Sequence, residues 1–373
     1  MTGSRSSALD PCCGSGALLL ALSEVGVGEL HGIEVDPVVA EVARVAVPEA
    51  QIVVGDALSV ELPPVELVVA NPPFVAPEAQ DKAQRVALRR QFAWLKGRFD
   101  LSVPILGRHL APELALVCPI SVLRQGYGEP LRARWMQRYR LHHLGPDERF
   151  PGAAVDVALV VLREGPDALS LALQRLPACP LDPAVGRAEV ELALRIRGDH
   201  ATLGAFCEVD TGVVSHGPLG PKSRLLHDEP GQGRVPYVDA MDLKRGRRRW
   251  LDYRPAEMHR PKRAELFEGP KLLVQRVGGP AVYLDRQGLY AGHTLTVVRP
   301  LAGCPYTLEQ LKSLVESPLL RGLVRIEHGA RLDLYPKDVR SLPVPAGWPR
   351  QPLLEALGLS AHEGDRLTAL TAD

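Results

Sequence analysis

The stretch VVANPPFV, residues 68–75, places a polar side chain directly after a β-branched apolar run. Prolines donate no backbone hydrogen bond, so Pro72 and Pro73 must end the preceding strand and stiffen the loop that follows. Such a loop can hold the side-chain carbonyl of Asn71 and the backbone carbonyl of Pro72 close together, a pair of acceptors that suits a planar NH2 group. An exocyclic amine bound in this way becomes nucleophilic, and Phe74 offers a face for the ring that carries it. The alternative is a strand-ending turn with a packed aromatic.

Three further motifs contain residues suited to binding a nucleoside. DPCCGSG, residues 10–16, has glycines that let the backbone approach a ligand, and a helical pattern follows it. It is neither GxGxxG nor a P-loop, so it favours neither a dinucleotide nor ATP. Glu34 in GIEVD can accept from ribose hydroxyls, and Asp56 in VVGDAL can accept from an exocyclic amine such as adenine N6. Each acid also has an alternative interpretation as a turn or helix-cap residue.

The elements that must position these residues are alternating strands and helices. Apolar runs predict strands in SALD, ELHGIEVD, AQIVVGDA, VELVVANPP, LALVCPI and DVALVVLRE, separated by helical patterns such as GALLLALSEV and PVVAEVARVAV. This alternation indicates an α/β fold with a parallel, doubly wound, Rossmann-like sheet. Ligands of such sheets bind at the carboxyl ends of the strands, where all four motifs fall.

Length and composition set broader limits. A chain of 373 residues, 46% hydrophobic and 24% charged, is expected to form two or three soluble domains. No apolar window is long enough for a membrane span, and the first residues lack the apolar core of a signal peptide, so no membrane partner and a cytoplasmic location are expected. The six cysteines show no metal-binding spacing, so reduced thiols and no metal site are predicted.

A net charge of zero hides a local excess of cations. Between Lys222 and Arg276 there are fourteen Lys or Arg and eight Asp or Glu. The densest part is KRGRRRW, which contains Lys244, Arg245, Arg247, Arg248 and Arg249. A cluster of this kind is either a solvated basic face or a surface that binds nucleic acid.

Taken in order, DPCCGSG, GIEVDP, GDAL and NPPF resemble the motifs of gamma-class S-adenosylmethionine-dependent adenine-N6 DNA methyltransferases. The resemblance continues through FDLSVPILGRHL, LALVCPISVLRQG and RFPGAAVDVALVVLREG. It implies S-adenosylmethionine as cofactor, double-stranded DNA as partner, and methyl transfer to N6 of a flipped adenine in a restriction-modification or phage-defence system. Asn71, Pro72, Pro73 and Phe74 would form the catalytic loop, with Phe74 and Phe150 contacting the target base. The cofactor would be held by Asp10, Pro11, Gly14, Ser15, Gly16, Glu34, Asp56 and Asn71.

From Leu203 onward the segments LGAFCEVDTGVVSHG, VPYVDAMDLKRGRRRW, KLLVQRVGG and YAGHTLTVVRP resemble the target-recognition domains of type I specificity subunits and single-chain modification enzymes. The resemblance implies an α+β domain in which Lys and Arg contact phosphates and guanine. The predicted organisation is a methyltransferase domain over 1–165 and a linker with irregular strands over 166–200. A target-recognition domain over 201–350 and a tail over 351–373 complete it.

One departure from the family leaves alternatives open. A helical segment usually precedes the DPxxGSG strand and covers the methionine end of the cofactor, whereas only MTGSRSSAL stands there. The expected explanations are a misplaced start, a missing part on another chain, or a protein that no longer methylates. The expected partners therefore include a restriction or specificity subunit and a chain that supplies this segment. An RNA guanine-N2 methyltransferase and an inactive DNA-binding fragment remain as alternative functions.

Overall fold

The structure, a computed structural model, describes residues 6–61, 64–76, 78–145, 156–214, 224–258, 261–276, 281–329 and 334–371. The chain divides into two compact units. The first comprises Met1–Glu191 and Ile326–Ala330, and the second Leu192–Arg325 and Arg331–Asp373.

The first unit is built on a seven-stranded sheet with the order β3-β2-β1-β4-β5-β7-β6. Its strands are β1 (Ser7–Asp10), β2 (Glu29–Glu34), β3 (Gln51–Val54), β4 (Leu67–Ala70), β5 (Glu113–Pro119), β6 (Tyr139–Leu144) and β7 (Val157–Glu164). The first five pair in parallel, which confirms the predicted α/β class. The strand order reverses between β1 and β4, and such a switch point is where ligands of open α/β sheets bind.

The far edge of the sheet differs from the fully parallel prediction. β7 runs antiparallel to both β5 and β6. β6 was not predicted because its sequence, YRLHHL, has a weak apolar pattern in which only Tyr139 is fully buried. An edge strand contacts the core on few positions, so it can carry exposed polar residues such as His142 and His143.

Helices lie between the strands of the first unit. They are α1 (Ala17–Glu24), α2 (Pro37–Ala46), α3 (Lys82–Gln91), α4 (Ser102–Arg108), α5 (Ile120–Arg124), α6 (Glu129–Arg138), α7 (Ala168–Leu173) and α8 (Arg187–Asp199). The start of α2 shows how sequence fixes these ends: the Asp36 carboxylate accepts from the backbone N–H groups of Val38 and Val39, and Pro37 occupies the first turn.

The stretch 166–200 contains α7 and α8 instead of the irregular strands expected there. Asp167 caps α7 by accepting from the Ser170 N–H at 2.8 Å. In α8, Val190, Ala193 and Ile196 are buried at a helical spacing of three residues. The Pro and Ala content obscured these signals, and the chain passes from the first unit to the second within α8. The assignment of a linker and of the domain limits stays a prediction.

The second unit has α+β character. Its strands are β8 (Ala201–Thr202), β9 (Cys207–Thr211), β10 (Leu226–His227), β11 (Arg234–Val238), β12 (Arg249–Asp252), β13 (Lys271–Gln275), β14 (Val282–Asp285), β15 (Tyr290–Ala291), β16 (Leu295–Pro300) and β17 (Pro343–Val344). They form sheets of the order β10-β12-β11-β15, β14-β13-β16-β9 and β17-β8. The remaining helices are α9 (Ala240–Lys244), α10 (Leu308–Glu316), α11 (Pro318–His328), α12 (Pro336–Arg340), α13 (Leu353–Ala356) and α14 (Ala361–Ala369).

Aromatic packing and one buried ion pair stabilise this second unit. The rings of Phe267 and Tyr290 stack with centroids 4.5 Å apart. The Lys271 ammonium and the Asp285 carboxylate, both fully buried, form an ion pair between β13 and β14. Over the part of the chain that the structure describes, no helix is both long and apolar enough to cross a membrane.

Candidate functional site

A cleft of about 520 Å³ opens at the carboxyl ends of β1, β2, β3 and β4. Three polar side chains predicted to bind ligand, those of Glu34, Asp56 and Asn71, line this one space. Pro11 and Pro73 line it as well, and its other walls come from Cys12, Ile33, Val35, Gly55, Ala57, Leu58, Gln84, Leu101 and Ile105. The strand ends therefore bring together residues that are up to sixty positions apart in sequence.

The DPCCGSG loop is bent by its two glycines. Gly14 has φ +53° and Gly16 has φ +91°, left-handed values that favour glycine. The loop is also tied to β2, since the Cys13 N–H donates to the Ile33 carbonyl at 2.9 Å and the Gly14 N–H donates to the Glu34 carboxylate at 3.0 Å. The loop after β1 and the end of β2 thus form one hydrogen-bonded wall of the cleft.

Glu34 accepts two hydrogen bonds from the backbone in addition to lining the cleft. One carboxylate oxygen accepts from Gly14 and the other from the Asp36 N–H at 2.9 Å. Each oxygen has two lone pairs, so the half-buried carboxylate retains capacity to accept from ligand hydroxyls. Both interpretations of Glu34, as a turn residue and as a ligand-binding acid, are therefore compatible with its geometry.

Asp10 accepts a hydrogen bond within the DPCCGSG loop and is not among the residues that line the cleft. Its side chain is 1% exposed and accepts from the Cys12 N–H at 3.0 Å. Burial raises the pKa of Asp10 to about 7; the Cys12 hydrogen bond opposes this shift, and the Glu34 charge adds to it. Burial and the Asp10 and Glu34 charges also raise the pKa of the Cys12 thiol to about 12, which makes it a poor nucleophile.

Asp56 is exposed and begins the turn that follows β3. Its carboxylate accepts from the Leu58 N–H at 2.9 Å, and its carbonyl accepts from the N–H groups of Ser59 and Val60. The same turn presents Ala57 and Leu58 to the cleft. Asp56 thus holds the turn after β3 and also lines the cleft, so its geometry is compatible with both interpretations.

The NPPF loop leaves β4 with Asn71 exposed, Pro72 buried and Pro73 exposed. Asn71 and Pro73 line the cleft, whereas the half-buried Phe74 is absent from its described walls. The positions of Asn71 and Pro73 agree with a loop that presents polar atoms to a ligand. The roles of Pro72 and Phe74 toward a target base stay predictions.

A clamp that the sequence did not predict holds this loop at Val75. The Val75 carbonyl accepts from the Gln80 amide at 2.7 Å and from the Leu101 N–H at 3.1 Å. The Val75 N–H donates to the buried Asp100 carboxylate, which also accepts from Ser102 N–H and Oγ at 2.9 and 2.7 Å. Burial raises the pKa of Asp100 although these bonds oppose the shift. The FDLS sequence gives a helix-cap signal, but nothing in it points to Val75.

Among the residues of the described cleft wall that were not predicted from sequence are Gln84 of α3, Leu101, Ile105 of α4 and Val35. They lie in a helix, directly before one or next to a predicted residue, and an apolar side chain gives no local signal that it faces a ligand. Phe150 and the neighbouring RFPG residues lie outside the described residues, so the contact expected from Phe150 stays a prediction.

The basic KRGRRRW cluster in the second unit divides into two kinds of residue. The Arg249 guanidinium is half-buried, pairs with Asp239 and Asp242 at 2.5 Å each, and lies 5.2 Å from the centre of the Tyr237 ring. The Arg249 side chain is therefore held inside its own domain, and a phosphate contact would have to compete with two carboxylates.

The other members of that cluster are exposed. Arg247 pairs with Asp228 and Arg248 contacts Gln287. Lys244 and Arg245 form no ion pair with any residue that the structure describes. Lys244 and Arg245 are consequently the members most available to an anionic ligand.

Comparison with known proteins supports the fold. Neither a family model nor a curated protein sequence matches this chain. The type IIL restriction-modification enzyme MmeI, solved in complex with DNA, is similar with a TM-score of 0.58 and 11% identity, over 98% of this chain and 69% of MmeI. A class I S-adenosylmethionine-dependent methyltransferase from Listeria monocytogenes is similar over 45% of this chain, with a TM-score of 0.37 and 17% identity; the match spans 56% of that protein. At 11% identity the similarity to MmeI shows the fold alone, and it supports the Rossmann-like α/β fold described above.

Proposed function

We propose that this protein transfers a methyl group from S-adenosylmethionine to N6 of an adenine in duplex DNA, as part of a restriction-modification or phage-defence system. The observation that carries the proposal is the common cleft of Glu34, Asp56 and Asn71. The two carboxylates, those of Glu34 and Asp56, suit a nucleoside. The side-chain carbonyl of Asn71 suits an amine substrate.

The walls of the cleft suit a nucleoside without phosphates. Glu34 would accept from the ribose hydroxyls, and Asp56 would accept from the adenine amine of the cofactor. Val35, Ala57 and Leu58 give apolar contacts for the purine ring. No Lys or Arg occurs among the cleft-lining residues that the structure describes, so a pyrophosphate would find no cationic partner there. This set of groups favours S-adenosylmethionine over NAD or ATP.

The chemistry follows from the position of Asn71. When bound, S-adenosylmethionine supplies a methyl group on an electron-poor sulfur. The Asn71 side-chain carbonyl and the Pro72 carbonyl would accept from the adenine N6, which directs the nitrogen lone pair along the line of attack. The N6–methyl bond would form as the sulfur–methyl bond breaks, and the N6 proton would leave to solvent. The clamp on Val75 keeps the loop in place while the nitrogen becomes nucleophilic.

Three considerations support DNA as the substrate. A duplex adenine must leave the base stack to reach the cleft, and Phe74 is proposed to stack on it, together with Phe150. The exposed Lys244, Arg245, Arg247 and Arg248 supply phosphate contacts in the second unit. A similar fold over nearly the whole chain occurs in MmeI, a restriction-modification enzyme solved with DNA.

Calorimetry tests the cofactor assignment. S-adenosylmethionine should bind more tightly than NAD or ATP. Glu34→Ala should weaken its binding by about 1 to 3 kcal/mol, because hydroxyl partners are lost. Glu24→Ala, which removes an exposed carboxylate at the end of α1, is the matched control and should bind like the wild type. Tight NAD binding without any response to S-adenosylmethionine would contradict the proposal.

A further inference from the structure

We infer that α3 forms a second DNA-binding surface, in the first unit, which contacts the phosphodiester backbone beside the cleft. This inference rests on the proposed function and deepens it. The sequence-based prediction placed phosphate contacts only in the basic segment between Lys222 and Arg276.

The charge of α3 is strongly one-sided. Its sequence, KAQRVALRRQ, has four cationic residues and no acidic one. Lys82, Arg85 and Arg89 are spaced by three and four residues and therefore share one helix face, and Arg90 lies next to it. Like charges at this spacing repel each other, so the helix is less stable alone than with an anion bound.

Many surface cations elsewhere in the described part of the chain have acidic partners. Examples are Arg163 with Glu113, Arg187 with Glu191, Arg224 with Glu257 and Arg263 with Glu208. In contrast, the exposed Lys82 and Arg90 form no ion pair with any described residue, and Arg89 makes only a 3.4 Å hydrogen bond to the Gly97 carbonyl. Lys82 and Arg90 are therefore available to an external anion, and Arg89 has only that one hydrogen bond to exchange for it.

Two contacts fix α3 along the cleft. Gln84, in the first turns of the helix, lines the cleft. Gln91, its last residue, donates from its side-chain amide to the Leu58 carbonyl at 2.7 Å, and Leu58 belongs to the turn that presents Asp56. Leu88 packs into the core on the same helix. These observations place the helix beside the space that a target base would enter.

A nucleotide whose base enters the cleft must carry its own phosphates to the cleft mouth. Guanidinium groups on a fixed helix can contact phosphate oxygens without ordering a loop, and Arg presents two parallel donors to them. The basic face of α3 therefore suits the backbone of the DNA strand that contains the target adenine. Contacts of this kind position the strand and do not read its sequence.

The test compares two double variants of the full chain. Arg89→Gln/Arg90→Gln removes two charges from α3 while keeping good helix formers. Arg175→Gln/Arg187→Gln removes two exposed charges near α7 and α8 and is the matched control. Binding to a fixed duplex is measured from low to moderate salt, together with the steady-state kinetics of methyl transfer.

The α3 variant should lower the slope of log affinity against log salt by up to about 2, roughly 0.9 for each lost phosphate contact, and the control should not. KM for DNA should rise, whereas kcat and the affinity for S-adenosylmethionine stay unchanged. Equal slopes for the α3 variant and the control would overturn the inference. Unchanged slopes with intact DNA methylation refute only the role of α3; a wild type that methylates no DNA refutes the proposed function itself.

Discussion

Asp10→Asn should change how the stability of the first unit depends on pH. Asp10 is 1% exposed, and burial raises its pKa from 3.8 to about 7. A carboxyl whose pKa is raised in the folded state holds its proton more tightly there than in the unfolded chain. The free energy of unfolding therefore falls as pH rises between about 4 and 7. At about 1.36 kcal/mol for each pKa unit, this shift corresponds to a loss of about 4 kcal/mol above pH 7.

The Asn side chain keeps an oxygen that can accept from the Cys12 N–H, but it carries no charge at any of these pH values. The variant and the wild type should be equally stable near pH 4, and the variant should be more stable by about 4 kcal/mol at pH 8. Urea unfolding of this unit can be followed by pulse alkylation of the buried Cys118, scaled at each pH to the fully unfolded chain.

Glu34→Gln separates the two causes of the shift. The Glu34 charge is the smaller of the two influences that raise the pKa of Asp10, and burial is the larger. The Glu34 variant should therefore keep most of the pH dependence that Asp10→Asn removes. Identical pH profiles for Asp10→Asn and the wild type would refute the reasoning, and loss of the pH dependence in Glu34→Gln would transfer the cause from burial to charge.

Two other predictions concern groups that are buried with defined partners. Gln80→Ala leaves the carbonyls of Val75 and Phe99 without the Gln80 donor, which loosens the clamp on the NPPF loop. Methyl transfer, measured in single-turnover assays, should therefore slow about tenfold or more, whereas the affinity for S-adenosylmethionine should stay unchanged. Gln174→Ala, which removes a similar bond to the Met136 carbonyl, is the control and should leave the rate unchanged. Lys271→Met leaves the Asp285 carboxylate buried without its cation and should destabilise the second unit by about 3 to 5 kcal/mol in urea unfolding. Adding Asp285→Asn should recover part of that loss, and a Lys271→Met protein as stable as the wild type would contradict the importance of this pair.

The fold of the first unit was predictable because its parallel strands are continuous apolar runs. β1, β2, β3, β4 and β5 all match predicted strands. Once parallel strands are assigned, their carboxyl ends must meet at one edge, so the common location of Glu34, Asp56 and Asn71 followed from sequence. The strand β7 was predicted in DVALVVLRE, but its antiparallel direction was not. The polar edge strand β6 did not follow either, since direction and edge position depend on long-range pairing.

The supporting contacts of the site could not be predicted because they join loops that no local pattern connects. Gln80 and Asp100 meet at Val75 only after the chain has folded back, and a Gln or Asp in a loop has many equivalent uses. The charge count of the basic segment likewise could not show which cations have partners in the folded chain. It treated Arg249 as equal to its neighbours, although Asp239 and Asp242 reach it across a turn.

The most direct test of the account is the identity of the methylated atom. Duplex DNA is incubated with the protein and S-adenosylmethionine labelled with tritium in the methyl group, and the products are digested to nucleosides. The proposal predicts label on N6-methyladenine. Asn71→Ala should lose about 3 to 4 kcal/mol of transition-state stabilisation, or two to three decades in rate, with the cofactor affinity nearly intact. Label on guanine N2 in a parallel reaction with RNA and none on the DNA, or undiminished transfer by Asn71→Ala, would contradict it.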